Sequence, residues 1–186
     1  TSFTIDSTAA TLIETSAIDS STNDSTPDYT FVSSEAGTIT YSGSCSSSTT
    51  SAIAGTNTIT LNSLSDGTYS DCKITVTDSL ENAVTLNIGS FVIDTTAPTV
   101  TSVSTNANNQ SSVAITDNIS VTFSKAMDTT SVTTNTSNTS CSGTLRVSSD
   151  NFSNCVQMAS SPSSSNSDKT FTLDPSDNLT GGTTYL

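Results

Sequence analysis

The chain has 186 residues, of which 32% are hydrophobic, 11% charged and 5% aromatic, and 17 acidic side chains against four basic ones leave a net charge of −13. Histidine and tryptophan are both absent, which excludes a Ser-His-Asp or Cys-His nucleophile and a His-ligated zinc. Four scattered cations (Lys73, Lys125, Arg146, Lys169) cannot neutralise a phosphate backbone, so nucleic acid is excluded as a partner.

Ser and Thr together fill 77 positions, and Leu, Ile, Val and Phe only 37, at the edge of the range for disordered chains. Two features favour folding. The charged fraction is low, and the apolar residues are arranged rather than scattered. Ile and Val number 22 against 11 for Leu and Met, which is strand composition. No apolar run approaches the roughly 20 residues that span a membrane, so no membrane contact is expected of this segment. No basic, then apolar, leader opens the sequence, and any signal or anchor is expected to lie outside it.

One internal repeat organises the chain. Residues 2–12 read SFTIDSTAATL and residues 90–100 read SFVIDTTAPTV, an offset of 88 with seven of eleven positions identical. That spacing is the size of one small sandwich domain, so the repeated segment reads as a junction. In each copy an alternating strand (Phe3, Ile5; Phe91, Ile93) runs into an Asp-Ser/Thr-Thr-Ala segment and then a new strand (11–13; 99–103). The expected organisation is therefore the last strand of a preceding unit at 1–6, a whole unit at 7–95, and a further unit at 96–186.

In the middle unit, period-two alternation predicts strands at 29–32, 38–41, 58–61, 72–76 and 84–88, leading on to Phe91 and Ile93. Turn signals separate them at Glu35-Ala36-Gly37, Ala54-Gly55, Ser65-Asp66-Gly67 and Glu81-Asn82. The last unit has its clearest strand at 119–123, with further candidates at 144–147, 155–158, 170–173 and 183–186. It stops where the middle unit, counted from the corresponding Asp66-Gly67-Thr68-Tyr69 turn, still has a hairpin to run, so it is expected to lack its final strand or strands. No stretch shows a 3.6-residue apolar period. The fold class expected is all-β, with antiparallel β-sandwiches in tandem.

Ile93-Asp94-Thr95-Thr96-Ala97-Pro98, followed by Ile119–Phe123 and Ser124-Lys125-Ala126-Met127-Asp128, resembles the bacterial Ig-like domains of S-layer and other large surface proteins. In those domains a DTTAP linker precedes a strand ending in VTFSxAMD. The middle unit, with Pro27-Asp28-Tyr29-Thr30-Phe31 and Leu64-Ser65-Asp66-Gly67-Thr68-Tyr69, is similar to a second bacterial Ig-like class. The resemblance implies tandem Ig-like sandwiches at the bacterial cell surface or outside the cell, in adhesins, S-layer proteins or as spacers in secreted enzymes.

Most members of that family carry no cysteine, and this chain has four: Cys45 and Cys72 in one unit, Cys141 and Cys155 in the next. Neither CxxC spacing nor His supports zinc, so disulfides are expected. Of three connectivities, Cys45–Cys72 with Cys141–Cys155 keeps the units independent. Disulfides also point to an oxidising, extracellular location.

Candidate chemistry is thin. No carboxylates pair for acid–base work, and no enzyme activity or required cofactor is expected. The junction aspartates Asp6 and Asp94, with Asp66, Asp117 or Asp128 on nearby loops, are the candidates for calcium, although six to eight oxygens are needed and no EF-hand occurs. The plainer role is acceptance of backbone hydrogen bonds in turns. The seven Asn-x-Ser/Thr sequons match the background for this composition. The Ser-rich runs 42–51 and 160–167 are expected to be flexible loops. Tyr29, Tyr41, Phe31, Phe123 and Phe171 fall at core-like positions, which disfavours a sugar-binding aromatic platform. Tyr69 is expected to make a tyrosine-corner bond to the backbone. Lys73 and Lys125 are not expected to form isopeptide crosslinks.

The function expected is that of a structural repeat: a disulfide-stapled stalk, spacer or fibre segment. Its partners would be neighbouring repeats of the same chain or subunits of the same fibre. The alternatives are a subunit of a self-assembling filament or S-layer, through strand exchange, and an adhesin module with a host or matrix ligand of unknown identity.

Overall fold

The computed structural model describes residues 5–105 and 113–186. The chain divides into two compact units, Thr1–Thr96 and Ala97–Leu186. The strand expected at 1–6 falls mostly outside the described residues, and Ile5 and Asp6 themselves are not in a strand.

Unit 1 has ten strands among the described residues: β1 Leu12–Ser16, β2 Ser21–Thr22, β3 Asp28–Ser33, β4 Gly37–Ser42, β5 Ser51–Ala52, β6 Gly55–Thr60, β7 Gly67–Tyr69, β8 Lys73–Thr77, β9 Ala83–Asn87 and β10 Phe91–Ile93. They form three sheets, ordered β1-β3-β6, β5-β4-β8-β9 and β2-β10-β7. All pairs are antiparallel except β2 with β10. Alternation decides which side chains enter. Tyr29 and Phe31 of β3, Ile59 of β6, Ile39 of β4 and Ile74 and Val76 of β8 point inward and meet in one buried core. Each such aliphatic or aromatic side chain contributes about 1.5–3 kcal/mol on burial. The outward faces explain the threonine content. Thr30 and Thr58 share a hydroxyl hydrogen bond across β3–β6 at 3.0 Å, and Thr75 and Thr85 share one across β8–β9 at 2.8 Å.

Unit 2 has four strands among the described residues, β11 Val100–Thr105, β12 Ile119–Phe123, β13 Ser163–Ser165 and β14 Thr170–Leu173. They form one antiparallel sheet ordered β11-β12-β14-β13. Its polar face again carries hydroxyl pairs, Ser120 with Thr172 and Thr122 with Thr170. Its apolar face buries Ile119, Val121 and Leu173 against Val147 and Met158, which come from irregular segments.

Three segments expected to be strands are irregular: 144–147, 155–158 and 183–186. Their amides bond to several separate segments rather than along one ladder: those of Thr144 and Leu145 donate to the Thr133 carbonyl, that of Cys155 to Thr139 and that of Met158 to Asn135. The Thr144 hydroxyl accepts from the Thr133 amide, and the Ser148 hydroxyl accepts from the amides of Asp150 and Phe152. Backbone bonds still fasten them, among them a reciprocal pair between Ser148 and Leu186 at 3.0 and 2.7 Å. Conversely, the serine run 160–167 is no flexible loop. It contains β13, which hydrogen-bonds to β14 through a turn in which Asn166, Ser167 and Asp168 all adopt positive φ. Asn and Asp tolerate that conformation better than most side chains.

Candidate functional site

Every cysteine is in a disulfide, and each disulfide lies within one unit. Cys45 and Cys72 are 27 residues apart with Cα atoms at 5.2 Å, and Cys141 and Cys155 are 14 apart at 4.9 Å. The first bridge ties the segment after β4 to the start of β8, and both of its cysteines belong to the core. A hydrogen-bonded clamp flanks it. The Asp71 carboxylate accepts from the Ser44 amide at 3.1 Å and from the Ser44 hydroxyl at 3.0 Å. Gly43 makes that approach feasible: it sits at φ 79°, and a Cβ there would overlap the Asp71 carbonyl.

The two copies of the junction repeat make the same turn. The Thr8 amide donates to Asp6 Oδ1 at 3.0 Å, and the Thr96 amide donates to Asp94 Oδ1 at 3.2 Å. Asp66 adds a latch that sequence reasoning did not identify. Its carboxylate accepts from the amide and hydroxyl of Thr95 at 2.9 and 2.7 Å, and from the Thr96 hydroxyl at 2.6 Å. The segment leaving β10 is thereby held against the β7 turn. Asp66→Ala is expected to cost about 1–2 kcal/mol of unit 1 stability, since hydrogen bonds to an exposed carboxylate are partly replaced by water. Hydrogen exchange checks it, with protection lost at the Thr95 amide.

Asp94 belongs to no group of three or more candidate metal ligands among the described residues. Asp6 lies instead with Glu35 and Asp78, their carboxylate oxygens within 4.8 Å of one another. Each offers one ligand atom, so the cluster supplies three of the six to eight oxygens calcium takes. Asp78 is also occupied: it accepts from the amides of Leu80 and Asn82 and from the Asn82 side chain, closing the β8–β9 hairpin. Asp128 is likewise engaged, by the amide and hydroxyl of Thr130.

These hydrogen bonds hold four carboxyls below their ordinary range. The main donors are the Ser44 amide for Asp71, the Asn82 side chain for Asp78, the Thr130 amide for Asp128 and the Asn154 amide for Asp150. A lowered native pKa stabilises above the unfolded value, and the contribution is lost as pH falls through the native one. Thermal melts should therefore decline below about pH 4. Asp71→Asn should make that decline shallower.

The Tyr69 hydroxyl donates to the Ser65 carbonyl at 2.9 Å, and its ring stacks on Phe91 at 5.4 Å. This corner closes unit 1. Tyr185 stands in a similar place in unit 2, its hydroxyl accepting from the Thr180 amide at 2.9 Å.

The family described as "Bacterial Ig-like domain" matches residues 94–186, half of the chain. The chain belongs to the bacterial Ig-like domain family. No curated protein and no solved structure is significantly similar to it. The match begins at Asp94, so this bacterial Ig-like domain takes in the linker tail that Asp66 latches as well as all of unit 2. Domains of this family usually occur in extracellular or surface proteins, as structural modules.

Proposed function

We propose that this chain is a load-bearing spacer in an extracellular bacterial surface protein, joining neighbouring repeats of the same protein. The observation that carries the reading is the pairing of all four cysteines inside their own units. Unit-local crosslinks leave each repeat independent while removing loop entropy from its unfolded state. They also suit an oxidising compartment. The family match and the hydroxyl-lined outer faces of the sheets support the same reading. A spacer needs no catalytic group, and the composition offers no His-based nucleophile.

The experiment is protease shaving of intact cells with a thiol label present. The expected result is release of peptides from this chain without lysis, and no label on its cysteines before reduction. Protection until lysis, or free thiols in the native protein, would overturn the proposal. A fibre subunit is the second reading, favoured by the exposed apolar side chains of β11, Val100 and Val103, each 54% exposed.

A further inference from the structure

We propose that Glu14 guards the open edge of β1 in unit 1 against pairing with β1 of a second copy of this chain. The inference goes beyond the spacer reading. β1 is the outer strand of the β1-β3-β6 sheet and pairs, among the described residues, only with β3. Other edges of unit 1 are short or engaged. β2 and β5 have two residues each, and on β6 the Ser47 hydroxyl donates to the Thr60 carbonyl at 2.6 Å. β1 has five residues, four of them exposed. An exposed edge of that kind is a template for a second strand. Ile13, 62% exposed, stands beside Val32 on the outer face and would reward such pairing with apolar burial.

The register puts Glu14 on the core side of the strand. Leu12 lies opposite Ser33 and Glu14 opposite Phe31, and both of those partners are buried. Leu12 packs against the core, as alternation requires. Glu14, with the same orientation, is a carboxylate that stays exposed. Its Oε2 accepts from the Tyr29 hydroxyl at 2.9 Å. Burial pushes the Tyr29 hydroxyl above its ordinary range and the Glu14 carboxylate adds to the shift, so the tyrosine keeps its proton and donates. A neutral acceptor would also satisfy that hydroxyl, so the bond alone does not explain a charge. An inward-pointing charge and a bulge are both devices that blunt sheet edges. The bulge is present too: the register slips between Glu14 and Ser16, and the Thr15 hydroxyl donates to the Thr30 carbonyl at 3.2 Å.

Glu14 is also the middle residue of β1. Two copies that pair β1 antiparallel about a two-fold axis, in full register, bring Glu14 opposite Glu14, Ile13 opposite Thr15 and Leu12 opposite Ser16. Like charges directly opposite destabilise a strand pair, and the two-fold contact cannot separate them in that register. A slipped register parts the carboxylates only by shortening the pairing. With 17 acidic residues against four basic ones, a second copy offers few cations to neutralise the pair.

Sedimentation velocity of the oxidised full chain tests this, at concentrations up to about 1 mM. The parent and Glu14→Lys should each be monomeric, because both set like charges opposite. Glu14→Val should dimerise, and so should an equimolar mixture of parent and Glu14→Lys, in which opposite charges meet. The dimer of the mixture should weaken as salt is raised. Glu14→Val also leaves the Tyr29 hydroxyl unpaired, so Tyr29→Phe/Glu14→Val is the control, and its dimer should persist. Self-association of the parent or of Glu14→Lys, a folded Glu14→Val that stays monomeric, or a dimer lost in the double variant would overturn the guard. So would a mixture that stays monomeric, which keeps the test decisive should Glu14→Val fail to fold. None of these outcomes touches the spacer reading, which surface exposure and thiol state test.

Discussion

Reduction of the disulfides is expected to unfold unit 2 ahead of unit 1, with its melting temperature lowered by about 10–20 °C. In the chain-entropy account, a bridge spanning 14 residues removes about 3 kcal/mol of unfolded-state freedom, and one spanning 27 removes slightly more. The losses are similar, but the reserves are not. Among the described residues, unit 1 has fourteen in its buried cluster, most of them from three sheets, whereas unit 2 has five, drawn from one sheet and irregular segments. A loss of about 3 kcal/mol is then a larger share of unit 2's stability, given that small domains hold only about 5–15 kcal/mol in all. Calorimetry with and without reductant should resolve two transitions, the lower shifting further. Cys141→Ser/Cys155→Ser should reproduce that shift alone and leave the unit 1 transition in place.

Phe91→Ala is expected to destabilise unit 1 by about 3–5 kcal/mol, the range for emptying a buried aromatic site. Phe91 is 1% exposed, stacks on Tyr69 and lies in β10, between β2 and β7. Removing its ring opens a cavity and withdraws the support of the tyrosine corner together. Val92→Ala, one position along and only half-buried, should cost less than about 1.5 kcal/mol. Thermal or urea unfolding of both variants checks the contrast. Similar losses at the two positions would mean that β10 contributes backbone pairing and little packing.

Much of this architecture was legible because period two was strong wherever large apolar residues supplied it. β3, β4, β8, β9, β12 and β14 each alternate Ile, Val, Leu, Phe or Tyr with Thr, Ser or Asn, and each is a strand. The signal failed in two opposite ways. β13 is three serines, with no apolar side chain to reveal its pairing with β14. Residues 144–147 and 155–158 hold apolar side chains at strand-like spacing, but their amides bond to carbonyls of several separate segments, at Thr133, Thr139, Val147 and Asn135, rather than along one ladder. The short strands β2, β5 and β7 have two or three residues each, too few for a pattern.

At the junction, the repeat pointed to Asp6 and Asp94 as equivalent, and they do make equivalent turns. Their neighbours could not be read the same way. Glu35 and Asp78 reach Asp6, and Asp66 reaches Thr95 and Thr96, through contacts between segments 29 or more residues apart. Only the folded topology sets those distances. The Asp71–Ser44 clamp left a faint trace, because each partner directly precedes a bridged cysteine.

The measurement that tests the load-bearing role most directly is single-molecule stretching of the chain, oxidised and then reduced. Two separate unfolding events are predicted, one per unit. In the oxidised chain each should release less length, by about 90 Å for the 27-residue loop and about 50 Å for the 14-residue loop, at roughly 3.5 Å per residue. Reduction should restore both lengths and lower the force of the unit 2 event. A single event, or lengths unchanged by reduction, would contradict independent stapled units, and extension at negligible force would contradict a load-bearing role.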